Sequence, residues 1–290
     1  YNKQGKAVTA DDLEVAGAMT AWLVRAMNPT LLQTLEGQPV LVHAGPFANI
    51  AIGQNSVIAD RVACALTDYV VTESGFASDM GFEKFWNIKC RCSGLRPDAV
   101  VLVATIRALK RHGGAPDVKP GAPLDPIYTQ ENLPVLEAGC RSNLLAHIDI
   151  IRRSGIRPVV CLNHFYTDTD AEVACVRRIV EEAGCRFALS KHWENGGKGA
   201  EELARQVIAA CEEPTEFQYL CELSEPISSR LEKQVKTIYG GDGVDYTPQA
   251  LTKLQELEAN PATAHLPICV AKTQYSLSDD ATQIGRPTNW

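Results

Sequence analysis

The sequence predicts an α/β protein with a mostly parallel sheet, helices on both faces of that sheet, and a helical attachment near its C-terminal end. Three observations carry this expectation. Short apolar runs recur without alternating polar positions, the pattern of strands covered on both faces. Each run leads into a Gly-rich or polar turn and then into a helical stretch. Start and stop signals for helices fall where that order places them.

The expected strands are Val40 to His43, Tyr69 to Thr72, Ala99 to Ala104, Pro158 to Leu162, Arg186 to Leu189 and Ile268 to Ala271. After the third, Gly113, Gly114, Pro116, Pro120, Gly121, Pro123 and Pro126 crowd a stretch that no helix or central strand tolerates, so an irregular excursion is expected there. Beyond the fourth strand, Thr169 and Glu172 read as a capping box, with Gly184 placed to close the same helix. Glu212, Glu213 and Pro214 should end the helix before them. From Glu225 to Asn260 two amphipathic stretches flank the turn Gly240, Gly241, Asp242 and Gly243, and Thr247 with Pro248 marks the start of the second. The resulting division is a sheet domain over residues 1–222 and a helical attachment with a return strand over 223–290.

Composition narrows the function classes. The 290 residues are 45% hydrophobic and 22% charged, which suits a globular chain rather than a disordered one. No apolar run approaches the roughly 18 residues of a membrane-spanning helix. A net charge of -7 disfavours general nucleic-acid binding, so an anionic ligand needs a local basic pocket. The ten cysteines are scattered, several inside apolar runs, as Cys64, Cys161, Cys175 and Cys269 are. That usage fits buried thiols in a reducing cytoplasm, and Cys90 with Cys92 lacks zinc-site spacing. The first residue is Tyr1 and no signal peptide follows, so an internal piece of a longer protein is expected.

Ligands of open parallel sheets bind beyond the carboxyl ends of the strands. Phe165 and Trp193 each lie in a polar or Gly-containing segment just past an expected strand, where core packing has less claim on a large ring. Core packing and clamping of a flat heterocycle both remain open for them. Gly75 with Phe76 reads, taken alone, as a turn and a core aromatic. Arg107, Lys110 and Arg111 share a helix face, and the commoner meaning of such a run is a solvated face rather than an anion site. No two histidines have the spacing of a helical metal site. Neither a Gly-x-x-x-x-Gly-Lys-Ser/Thr loop nor a Gly-x-Gly-x-x-Gly fingerprint occurs.

Several segments, in order, resemble the formate tetrahydrofolate ligase family. The most specific is VATIRALKRHGG at Val103 to Gly114. Around it lie QTLEG at Gln33 to Gly37, HAGPFANIA at His43 to Ala51, VTESGF at Val71 to Phe76, and EKFWNIKCR at Glu83 to Arg91. TDTDAE at Thr167 to Glu172, YGGDGVDY at Tyr239 to Tyr246 and AKTQYSLSDD at Ala271 to Asp280 complete the set. The resemblance implies a P-loop NTPase-like fold and an ATP-dependent synthesis of 10-formyltetrahydrofolate through formyl phosphate, with magnesium on the phosphates. It implies formate, ATP and tetrahydrofolate as ligands, a cytoplasmic location, and neither nucleic acid nor membrane as partner; self-association into a homo-oligomer stays open. Phe165 and Trp193 match the family's aromatic clamp for a folate or adenine ring, with Leu189 and Phe76 lining it and Asn163 offering a polar contact. The family's phosphate loop would precede Tyr1, so these residues alone are expected not to turn over.

The chain departs from the family pattern in two places. His164 and Tyr166 flank the loop phenylalanine where a basic residue and Pro are commoner, and Phe76 is followed by Ala77-Ser78-Asp79 where Gly-Ala-Asp is commoner. Two competing expectations are a ligase-like protein that has lost catalysis and serves as a binding or assembly partner, and a different ATP-dependent ligase on a similar scaffold.

Overall fold

The computed structural model describes residues 1–45, 52, 55–119 and 121–290. They fall into two compact units, Tyr1–Pro46 with Asn55–Glu73, and Phe47–Gln54 with Ser74–Trp290. Residues 46–51 of the family-like segment His43 to Ala51 lie outside the described residues, as does Pro120 of the Gly- and Pro-rich excursion.

The first unit holds helix α1 (Ala16–Leu23), a hairpin of β1 (Thr30–Gln33) and β2 (Pro39–Val42), and helix α2 (Val57–Leu66). Ser56 caps α2, its hydroxyl accepting from the Ala59 N–H at 3.0 Å. The expected strand from Val40 exists as β2, yet it pairs antiparallel with β1, Thr30 opposite Val42, and not in a parallel sheet. The cause is a tight return: Thr34 N–H donates to Gln38 O at 2.9 Å, and Gly37 supplies the φ of +90° that the turn needs. Tyr69 to Thr72 forms no strand, because no described segment pairs with it.

The second unit is built on three parallel strands, β3 (Val100–Ala104), β4 (Pro158–Asn163) and β5 (Arg186–Ser190), in the order β3-β4-β5. Leu102 stands beside Val160 and Leu162 beside Leu189, so these side chains share one face. That face is buried under α4 (Ile106–His112), α5 (Leu133–Gly139) and α7 (Asp170–Glu182) through Ile106, Leu109, Leu136, Val176, Ile179 and Val180. The opposite face carries Val159, Cys161 and Ala188, all buried, with α9 (Glu201–Cys211) packed on β5 and β4. Helices thus flank the sheet on both sides, as the unalternating apolar runs anticipate. At the edge strand β3, Val101 and Val103 remain exposed.

A second core joins the wide helical turns Ala77–Phe82 and Phe85–Lys89, which run into α3 (Cys90–Ser93), to α6 (Leu145–Arg152). Trp86 is fully buried there, and its indole N–H donates to Gln218 O at 2.7 Å. The short helix α8 (His192–Asn195) follows β5, and α10 (Ile227–Gln234) and α11 (Pro248–Ala259) are the last two α-helices of the unit. Pro248 opens α11 with Thr247 as its cap, and Ile238 and Tyr239, just past α10, enter the second core. Ile268 to Ala271 forms no strand; it has no ladder partner among the described residues, and Pro267 before it lacks a donor. The neighbouring Lys272 is instead buried as an ion pair with Asp79 at 2.8 Å.

Close packing explains the end of VATIRALKRHGG. A Cβ on Gly113 would lie 1.8 Å from Val135 O, and one on Gly139 would lie 1.7 Å from Leu109 O. Helices α4 and α5 therefore meet backbone to backbone, an approach open only to glycine.

Candidate functional site

The carboxyl ends of β3, β4 and β5 deliver three segments to one edge of the sheet. The first begins at Thr105, whose hydroxyl caps α4 by accepting from the Ala108 N–H at 3.2 Å. The capped first turn of α4 carries Arg107. Its guanidinium carbon lies 4.4 Å from the centroid of the Phe165 ring, and its Nη2 donates to Thr167 Oγ1 at 3.2 Å. One turn on, Lys110 is buried against Glu172, Nζ to Oε1 2.6 Å with both side chains 1% exposed, and donates to Gln130 O at 2.7 Å. Arg111 pairs with Asp117. The run expected as a solvated face is therefore three cations with three separate partners.

The second segment leaves β4 at Asn163 and bends sharply. Phe165 N–H donates to Asp168 Oδ2 at 2.9 Å, and Asp168 N–H returns a bond to Phe165 O at 2.9 Å. Burial raises the Asp168 carboxyl above its usual range, against the lowering pull of the Phe165 N–H, His164 and Arg107. The capping box then starts α7, with Glu172 N–H donating to Thr169 Oγ1 at 3.2 Å and Thr169 N–H to Glu172 Oε2 at 3.3 Å. Asn132 N–H adds a bond to Glu172 Oε1 at 3.0 Å.

The third segment follows β5. Lys191 N–H donates to Gly199 O at 2.8 Å and closes a loop that holds α8 and Trp193. The Trp193 side chain is 89% exposed, so the sheet core makes no claim on it. His164, on the second segment, faces Glu194, on the third, with Nδ1 4.0 Å from Oε1. Among the described residues the buried His164 Nδ1 has no hydrogen-bond partner.

Four of the five ring-site residues expected from the sequence lie at this edge. Asn163 ends β4 beside Ser190, Phe165 and Trp193 occupy adjacent strand-end loops, and Leu189 is the penultimate residue of β5. Leu189 packs against the core below the sheet, which limits what it can offer a ligand. Phe76 stands apart: it follows no strand, and it precedes the Ala77–Phe82 turn with its ring half-exposed. Among the described residues no ring–ring contact joins Phe165 to Trp193, or Phe76 to either. Arg107, Thr167, His164 and Glu194 also stand at this edge, beyond the residues expected there from the sequence. Their signal was present for Arg107 and Thr167, since each follows one of two strands that prove adjacent.

The sequence model of the family described as formate–tetrahydrofolate ligase matches residues 1–290. Formate–tetrahydrofolate ligase of Desulforapulum autotrophicum is 60% identical over 290 residues, which are 49% of its length. The proteins of that name from Dehalococcoides mccartyi and Desulfotalea psychrophila are each 58% identical, over 48% and 52% of their lengths. The chain spans about half the length of the curated relatives it matches. The chain therefore belongs to the formate–tetrahydrofolate ligase family.

Proposed function

We propose that this chain supplies the ring-binding part of an ATP-dependent ligase that makes 10-formyltetrahydrofolate from formate and tetrahydrofolate through formyl phosphate. The observation that carries this reading, beside family membership, is the pair of rings in adjacent strand-end loops, one of them almost wholly in solvent. Phe165 and Trp193 bind a flat heterocycle between them, Asn163 contributes a polar contact, and Leu189 forms part of the floor. Phe76 is proposed as a further lining residue. The chain holds and orients the ring that is to receive the formyl group, and stacking on large aromatic faces excludes water from it.

The phosphate chemistry is not assigned to residues of this chain. The sequence contains no Gly-Lys-Ser/Thr cradle. Among the described residues no group of three or more His, Cys, Asp or Glu could hold a metal ion. Magnesium and the triphosphate are assigned no residue of this chain. Residues 1–222 are proposed as part of the sheet domain and 223–290 as its attachment. A cytoplasmic location belongs to the same proposal, supported by ten free cysteines.

The test is Trp193→Ala in the full-length protein. Tetrahydrofolate binding should weaken by about 1 to 3 kcal/mol, as for loss of a large stacking face, while the thermal midpoint stays close to the parent's. Unchanged folate affinity in the folded variant refutes the ring-site reading.

A further inference from the structure

The loop that carries Phe165 is held from two sides. Within the loop, Asp168 bonds both ways with Phe165. From outside, Arg107 covers one face of the ring and reaches past it to Thr167. The buried Arg107 Nε makes no hydrogen bond among the described residues. The guanidinium is held by the ring contact together with its one bond to Thr167.

We propose that Arg107 is a positioning residue for the ring site, an inference that rests on the ring-site reading above. By stacking on one face of Phe165 it leaves only the opposite face for a ligand. By donating to Thr167 it fixes the loop from which the ring projects. Phe165 then takes one flat ring rather than two, with its plane set before the ligand arrives. A planar, permanently charged group suits this task, and a lysine ammonium offers neither the plane nor the fork.

The experiment uses the full-length protein with Arg107→Ala, Arg107→Lys, Phe165→Ala and the Arg107→Ala/Phe165→Ala pair, measuring kcat and the KM values for tetrahydrofolate and formate. Arg107→Ala should raise the tetrahydrofolate KM about fivefold, in the range expected for loss of a cation–π contact, and leave the formate KM in place. Arg107→Lys should behave the same way, and it keeps the test available where the alanine variant does not fold. The double variant should bind tetrahydrofolate no more weakly than Phe165→Ala alone, because Arg107 acts through that ring. Equal rises in both KM values with a fall in thermal midpoint, or additive losses in the double variant, would overturn the inference. A raised tetrahydrofolate KM in Phe165→Ala with no change in either Arg107 variant overturns it alone. No change in Phe165→Ala removes the ring-site reading as well.

Discussion

Replacing Lys110 by Met should be among the most destabilising single changes on α4. The pair it breaks has both side chains 1% exposed and its charged atoms 2.6 Å apart. Removing one partner of such a pair costs about 3–5 kcal/mol, because the other charge stays buried without compensation. Two features place the expectation near the lower end. Glu172 keeps the N–H donors of Asn132 and Thr169, and Met fills most of the volume that the Lys stem leaves. The Gln130 carbonyl loses its donor and pulls the other way. The net expectation is a loss of about 3 kcal/mol in unfolding free energy, read from urea midpoints at fixed pH. Arg141→Met is the control: its pair with Glu137 is 53% and 38% exposed, and breaking it should cost under about 1 kcal/mol. Lys110→Met/Glu172→Gln should recover part of the loss, since Gln keeps the capping box and carries no charge. A Lys110→Met variant within about 1 kcal/mol of the parent would refute the claim that this ion pair is a buried, coupled unit.

Three further outcomes follow from the packing and the buried charges. Burial, opposed by the Asn87 hydrogen bond and the Lys84 charge, raises the Glu83 carboxyl from 4.5 to about 7. The folded state therefore holds this proton longer than the unfolded one, and stability contributed by protonated Glu83 is present below 4.5 and lost as pH rises through about 7. Glu83→Gln should flatten that slope and gain on the order of 3 kcal/mol over the parent at pH 8; parallel pH–stability curves for the two proteins would contradict it. Gly139→Ala should cost about 2 kcal/mol or more through the clash with the Leu109 carbonyl, and an unchanged thermal midpoint would count against the close crossing of α4 and α5. Ala77 has a φ of +46°. Ala77→Gly should stabilise by about 1 kcal/mol, and a loss of stability would show that the turn does not need that backbone geometry.

The parts of this fold that the sequence announces are those whose physics is local or one-dimensional. Strands β3, β4 and β5 fall within a residue of their expected bounds, because burial on both faces writes itself as an uninterrupted apolar run. The capping box at Thr169 is equally legible, since its partners are three residues apart. What failed were statements about partners distant in the chain. Val40 to His43 and Tyr69 to Thr72 have the composition of parallel strands, but composition does not say which neighbour closes the ladder. One folds back on Thr30–Gln33, and the other finds no ladder among the described residues. The Arg107, Lys110 and Arg111 run shows the same gap in the site. Spacing places the three charges near one face of α4, and a charged face normally means solvent. Their partners Phe165, Glu172 and Asp117 lie on other loops and helices, two of them about 60 residues on. Within one short helix and its cap, Arg107 holds the ring loop, Lys110 anchors the start of α7, and Gly113 admits the α5 backbone. No two of these demands can be met by the same residue type, so few substitutions would leave the edge of the sheet, and the ring it presents, in place.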